Sequence, residues 1–158
     1  MPPITLTFRL LTKCQKSENR GIGFLEGHGE LNAGSAFDGF TGTILREMRS
    51  HMDQWLDGRN GPKQHFHNFK NEDPEHRNCF EFRYREHRLY GFLCHPDGRP
   101  RFQVCALCIY TTKFKWESDR AELDRVEQWY RIVTAHKAIS MAYPTASSQS
   151  GGKKQWTQ

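Results

Sequence analysis

Arg83 and Arg85 stand two positions apart in the run Phe80-Glu81-Phe82-Arg83-Tyr84-Arg85, and residues two apart on a strand project to the same side. Phe80, Phe82 and Tyr84 hold the alternate positions, so burying the aromatic rings turns both guanidiniums outward. If Arg88 opens the neighbouring strand and Lys113 and Lys115 leave the far end of the next, five cations gather over one sheet face, with Tyr90, Phe92, Phe114 and Trp116 near them. Guanidiniums grip phosphate in a bidentate way and rings stack on unpaired bases, so such a face suits single-stranded nucleic acid. The competing reading is a strand face made rich in Arg and Lys for solubility and edge protection.

Other groupings carry less. Cys105 and Cys108, with Cys94 and His95 upstream, have a spacing seen in zinc sites. Positions three apart on a strand face opposite ways, however, and nothing between them turns both thiolates toward one metal, so buried hydrophobic cysteines are the favoured reading and no metal is expected. His65 and His67 would share a strand face near Glu72 and Asp73, where they could bind a metal or exchange protons; a loop of solvated histidines is the simpler reading. His28-Gly29-Glu30 is weaker still. Walker, Gly-x-Gly-x-x-Gly, Gly-x-Ser-x-Gly and His-Glu-x-x-His motifs are missing from the 158 residues, which removes the usual supports of nucleotide-cofactor enzymes, serine hydrolases and zinc proteases. No cofactor is implied.

Positive charge is concentrated where the cations above lie. The chain carries a net +5, and residues 75–116 hold eight Lys/Arg (Arg77, Arg83, Arg85, Arg88, Arg99, Arg101, Lys113, Lys115) against four acids (Glu75, Glu81, Glu86, Asp97). Residues 1–41 and 42–74 are each balanced. With 36% hydrophobic residues, the chain is long enough for one core. No apolar run approaches membrane-spanning length, and Met1-Pro2-Pro3-Ile4-Thr5 lacks the pattern of a secretory leader. Five cysteines (Cys14, Cys79, Cys94, Cys105 and Cys108) form an odd, scattered set that fits a reducing compartment. A soluble cytoplasmic protein is the expectation.

The elements that must position these residues follow from periodicity. Ile4, Leu6, Phe8 and Leu10 alternate with polar residues as in a half-buried strand. Residues 21–42 hold seven glycines and read as a loop insertion, broken only by a short strand at Ile22-Gly23-Phe24-Leu25. Ile44, Leu45, Met48, Met52, Trp55 and Leu56 mark a helix from about Thr43 to Asp57, with Thr41 or Thr43 as N-cap and Gly58 as stop. A short strand near His65–Phe69, two strands at Phe80–Arg85 and Arg88–Cys94, a turn at Pro96-Asp97-Gly98-Arg99-Pro100 and a doubly covered strand at Phe102–Tyr110 follow. Ser118 then caps a helix, with Asp119 and Glu122 in its first turn, whose Leu123, Val126, Trp129, Tyr130 and Val133 share one face as far as about Ile139. One domain over 1–143 and a disordered tail over 144–158 result.

From about Phe80 to Ile132 this order resembles the RelE/ParE toxin superfamily, in particular its phage-like HigB branch. There a strand bearing an Arg is followed by an Arg-Val-Leu-Tyr-like strand, a turn, a hydrophobic strand ending in an aromatic, a Lys-rich exit and a helix of Glu and Arg. Arg83 resembles the first Arg, Arg88-Leu89-Tyr90 the second strand without its branched residue, and Tyr110 and Lys113 the exit; the helix over 43–57 stands where the family has its helical segment. The exit departs from the family's two adjacent lysines, and the Gly-rich segment 21–42 is longer than the family needs. The resemblance implies an α+β domain with a small antiparallel sheet packed by helices. It further implies a growth-inhibiting toxin held by a cognate antitoxin, which cleaves mRNA, usually in the ribosome, without a metal. Arg83, Arg88 and Lys113 would then stabilise the scissile phosphate, with Arg85 and Lys115 as supporting cations and Tyr90 and Trp116 near the RNA. His87 is the nearest group that titrates near neutrality and so the candidate base, although family sites also use Lys, Tyr or Glu. A gyrase inhibitor of the same fold, and a nucleic-acid-binding or zinc-stabilised module, are the alternatives.

Overall fold

Alternation at the start of the chain gives β1 (Thr7–Leu10), which pairs antiparallel with β2 (Arg20–Glu26). This computed structural model describes residues 5–12, 17–113 and 120–144. Cys14, the capping Ser118 and Asp119, the residues Phe114, Lys115 and Trp116, and all of the tail beyond Pro144 lie outside them. Two helices follow β2, α1 (Ala33–Asp38) and α2 (Gly42–Leu56). Then come β3 (Phe66–Asn68), a 3-10 turn at Pro74–His76, and the meander β4 (Cys79–Tyr84), β5 (His87–Cys94) and β6 (Gln103–Thr112). α3 (Arg120–Tyr130) and α4 (Val133–Ala142) end the described chain.

The fold is α+β, and the described residues form six strands in the order β1-β2-β6-β5-β4-β3. The expected antiparallel sheet is in fact mixed, because β2 runs parallel to β6, Arg20 beside Gln103 and Phe24 beside Leu107. Parallel pairing needs a long crossover, and α1, α2 and the meander provide it. The segment 21–42 is accordingly not one loop. Its first glycines lie inside β2, where Gly23 admits the ring of Phe8: a Cβ there would stand 2.4 Å from two ring carbons. Ala33 and Phe37 of α1 are buried beside Phe24.

Both sheet faces are covered. On one, α1 and α2 place Phe37, Met48, Met52 and Trp55 against Ile22, Phe24, Phe80, Phe82, Leu89, Cys105 and Leu107. On the other, Leu123, Val126 and Trp129 of α3 and Ala135 and Ile139 of α4 cover Tyr90, Phe92, Val104, Ala106 and Cys108. The single terminal helix read from the periodicity is two helices. Ile132 is extended (φ −83°, ψ 116°), and the N–H groups of Arg131 and Ile132 close back on Gln128 and Trp129. Val133, expected on the buried face, is 66% exposed, while Ala135 and Ile139 take over the packing.

His76 pins this second layer to the sheet edge. Its side chain is fully buried, with Nδ1 2.7 Å from Asp73 and Nε2 2.6 Å from Asp124 of α3. Burial alone would lower its pKa, but the two carboxylates outweigh it and the net shift is upward from 6.5. His76 in turn is the chief cause of a lowered Asp73 pKa. A raised histidine pKa stabilises the fold fully below the unfolded value of 6.5 and ceases to do so as pH rises through the folded value. A lowered Asp73 pKa acts above its unfolded 3.8 and is lost as pH falls. The clamp is therefore strongest between those limits. His76→Gln is expected to cost about 1–2 kcal/mol near pH 6 and progressively less toward pH 9, read from urea midpoints at each pH; a constant difference would show that the imidazolium is not the stabilising species.

Candidate functional site

A β-bulge decides which side chains meet at the end of the meander. Val104 and Ala106 face α3 and α4, and Cys105 and Leu107 face α2. At Tyr90/Gly91 the register slips: Tyr90 pairs with Ile109 and Gly91 with Leu107, so β6 carries one extra residue. Beyond it the phase is reversed, with Ile109 on the α3 side and Tyr110 on the α1–α2 side. Thr111, paired with Arg88, therefore lies on the α3 side, and Lys113 two residues on reaches Glu122 of α3, Nζ to Oε2 3.4 Å.

Arg83 and Arg88 are direct cross-strand partners, so the structure does bring them together. It does not turn them outward. Each is only 5% exposed, because α3 covers the face that simple alternation leaves to solvent. Burial is tolerable because the cations come with anions. Glu81, two residues before Arg83 on the same side and fully buried, accepts hydrogen bonds from the Arg83 guanidinium. Arg88 donates through Nη1 to the carbonyls of Arg85 and His87, which ties down a turn where Arg85 has φ +53°, unusual for a side-chain-bearing residue. Burial first, and then the charge of Arg83, push the Arg88 pKa below the ordinary guanidinium value. Arginine nonetheless remains a cation at neutral pH.

The remaining expected residues divide. Arg85 sits in the exposed β4–β5 turn over the ring of Tyr84, 5.4 Å from its centroid, and does not continue the Arg83 face. Tyr90 lies on the right face but is fully buried in the core, so it offers no ring for a base to stack on. His87 is turned to the other side of the sheet, between Phe40 and Tyr110. Its Nε2 is 3.1 Å from Glu86 and its Nδ1 2.7 Å from the Tyr110 hydroxyl, a pair best met by Nε2–H donating and Nδ1 accepting. The candidate base thus lies across the sheet from Arg83 and Arg88. Lys115 and Trp116 are outside the described residues.

Two groups on the α3 face, Glu81 and Glu122, were missed as site residues, while His67 does lie beside Glu72 as expected. Glu81 and Glu122 counter the cations, and His67 of β3 lies 3.6 Å from Glu81 and 2.5 Å from Glu72. Glu81 had a signal, since i and i+2 on a strand share a side; Glu122 enters only through the packing of α3. His65 does not share His67's face. It stacks on His51 of α2 at 3.9 Å, and His51 donates from Nδ1 to the Arg83 carbonyl at 2.6 Å. Cys105 and Cys108 lie in opposite cores. Burial pushes the Cys94 thiol up to about 12 and raises those of Cys79, Cys105 and Cys108 further, which makes them poor nucleophiles and ligands. Among the described residues no group of three or more His, Cys, Asp or Glu is placed to hold a metal, and no helix is long and apolar enough to cross a membrane. Comparison with family models, with curated proteins and with solved structures gives no match to this chain.

Proposed function

We propose that this chain is a toxin-like protein of the RelE/ParE kind that acts on messenger RNA, held in check by an antitoxin. The observation that carries the reading is the convergence of Arg83, Arg88 and Lys113 at one end of the meander, on one face. The order helix, Arg-bearing strand, Arg-Leu-Tyr strand, Asp-Gly turn, apolar strand, Lys exit and charged helix agrees with the resemblance. In cleavage by 2′-OH attack, the phosphate gains negative charge in the transition state, and three cations around one point would stabilise it. With His87 turned away, Glu122 beside Lys113 becomes the base-type group on that face. RNA reaches the arginines only if α3 moves off β4 and β5, so the arrangement described is a closed one. An antitoxin that presents an acidic segment or holds α3 in place would keep it closed.

Primer extension on a defined mRNA, with and without translating ribosomes, tests this reading. Discrete cuts are expected, and in ribosome-free reactions they persist in EDTA. Lys113→Ala removes a partly exposed cation without emptying the core, and is expected to reduce cutting by about a hundredfold. Burial of both arginines, and the pairing of Arg83 with Glu81, weigh against RNA contact and favour a second reading, a toxin-fold protein that inhibits DNA gyrase without cutting RNA. Intact RNA together with a DNA-damage response in cells would replace the first reading with the second.

A further inference from the structure

The other end of the meander holds a concavity that neither reading uses. Asn78 precedes β4, Cys94 ends β5 and Gln103 begins β6, so it lies a strand's length from Arg83, Arg88 and Lys113. Its volume is about 470 Å³, within the range of about 300–1,000 Å³ typical of small-molecule sites. Lys70, Arg77, His95 and His136 line it, and no Asp or Glu does. The Glu127 carboxylate is occupied by Asn78, accepting from its backbone N–H at 2.8 Å and from its side-chain Nδ2 at 3.0 Å. Lys70 and Arg77 are exposed and have no ion-pair partner among the described residues.

We infer that this pocket binds a nucleoside phosphate, either a free nucleotide or one nucleotide of an RNA strand. Two features select this chemistry over a bare anion. Tyr130 and His136 are among the lining residues, their rings 5.1 Å apart and nearly perpendicular, which puts aromatic surface of the kind bases stack on beside the cations. Asn68 and Gln103 add carboxamides of the type that pair with base edges. The cations account for the phosphate. His95 donates from Nδ1 to the Phe102 carbonyl at 2.8 Å and His136 donates from Nε2 to the Tyr130 carbonyl, so one nitrogen of each ring is held on the backbone. The inference is independent of the assignment at Arg83, Arg88 and Lys113.

Isothermal titration of the full chain at pH 6.5 against the four nucleoside 5′-monophosphates, inorganic phosphate and a hexaribonucleotide tests it. At least one monophosphate is expected to bind about tenfold or more tightly than inorganic phosphate, and Lys70→Gln/Arg77→Gln to weaken it by about tenfold or more. Both substituted side chains are exposed, so an unchanged thermal midpoint is the control for folding. A hexamer that binds more tightly than any monophosphate, with the same sensitivity to the double substitution, supports the pocket and assigns RNA as the source; a hexamer that binds no more tightly supports it and assigns free nucleotide. Affinity unchanged in the double variant, or no preference over inorganic phosphate, overturns the inference. Because it reads binding alone, either result leaves the cleavage experiment to stand or fall separately.

Discussion

Arg83→Ala is expected to lower the stability of the fold by about 3–5 kcal/mol, read as the urea unfolding free energy. The loss comes less from the missing attraction than from what remains. Glu81 is fully buried and accepts hydrogen bonds from the Arg83 guanidinium, so truncating the arginine takes a charged donor away from a carboxylate under α3. The double variant Glu81→Leu/Arg83→Met removes both charges at similar volume and is expected to lose much less, because the desolvation of the pair largely offsets its attraction. A single-variant loss below about 1 kcal/mol would mean that another cation satisfies Glu81. For the primer-extension test, weaker cutting by an Arg83 variant would not separate chemistry from unfolding, which is why the partly exposed Lys113 is the better probe.

Gly91→Ala is expected to be comparably damaging, about 3 kcal/mol or more. An added Cβ would stand 2.3 Å from the Ala106 carbonyl oxygen and 2.9 Å from the Leu107 Cα. These are backbone atoms of the central strand and cannot swing aside as a side chain would. Relief would require β5 and β6 to separate or the bulge at Tyr90/Gly91 to move. Moving it restores simple alternation in β6 and carries Lys113 to the α1–α2 side, away from Glu122 and Arg88. The variant is thus expected to lose unfolding free energy and, in whatever fraction stays folded, the Lys113–Glu122 contact, visible as a shift of the Lys113 side-chain NMR signals. A fully stable variant with an unmoved Lys113 would show that the bulge does not set the phase.

Much of the architecture was legible because local chemistry and global packing agreed. The apolar spacing of Met48, Met52 and Trp55 ended at Gly58, and the continuous apolar run of β6 became a central strand. The failures share a cause. The pattern Phe80, Phe82, Tyr84 against Glu81, Arg83 was read as one buried and one exposed face, yet both are buried, since opposite charges at i and i+2 can enter a core together. The i, i+2 spacing puts the two on one side, but nothing local says that the side is buried. In 21–42 the short strand at Ile22–Leu25 is legible and lies within β2, but the glycines around it read as loop and hide α1 (Ala33–Asp38). His87 reads as a base for its neighbour Arg88, but adjacent strand residues point to opposite faces. The convergence of Arg88 and Lys113 depended on a bulge that no residue type announces.

The parallel pairing of β2 with β6 also orders events in time. On one side of β6 lies the β1–β2 ribbon, on the other the strands β3 to β5, and β6 alone joins them. Among the described residues it is also the last strand to leave a translating ribosome. Until Gln103 to Thr112 emerge, β2 and β5 each present an unpaired edge beside an uncovered apolar face, the condition under which nascent chains associate with one another. Closure over so long a loop is intrinsically slow. A chain arrested within the Asp97-Gly98 turn would therefore be a substrate for chaperones and proteases, and the newly made protein acquires its core only when synthesis has passed the final strand.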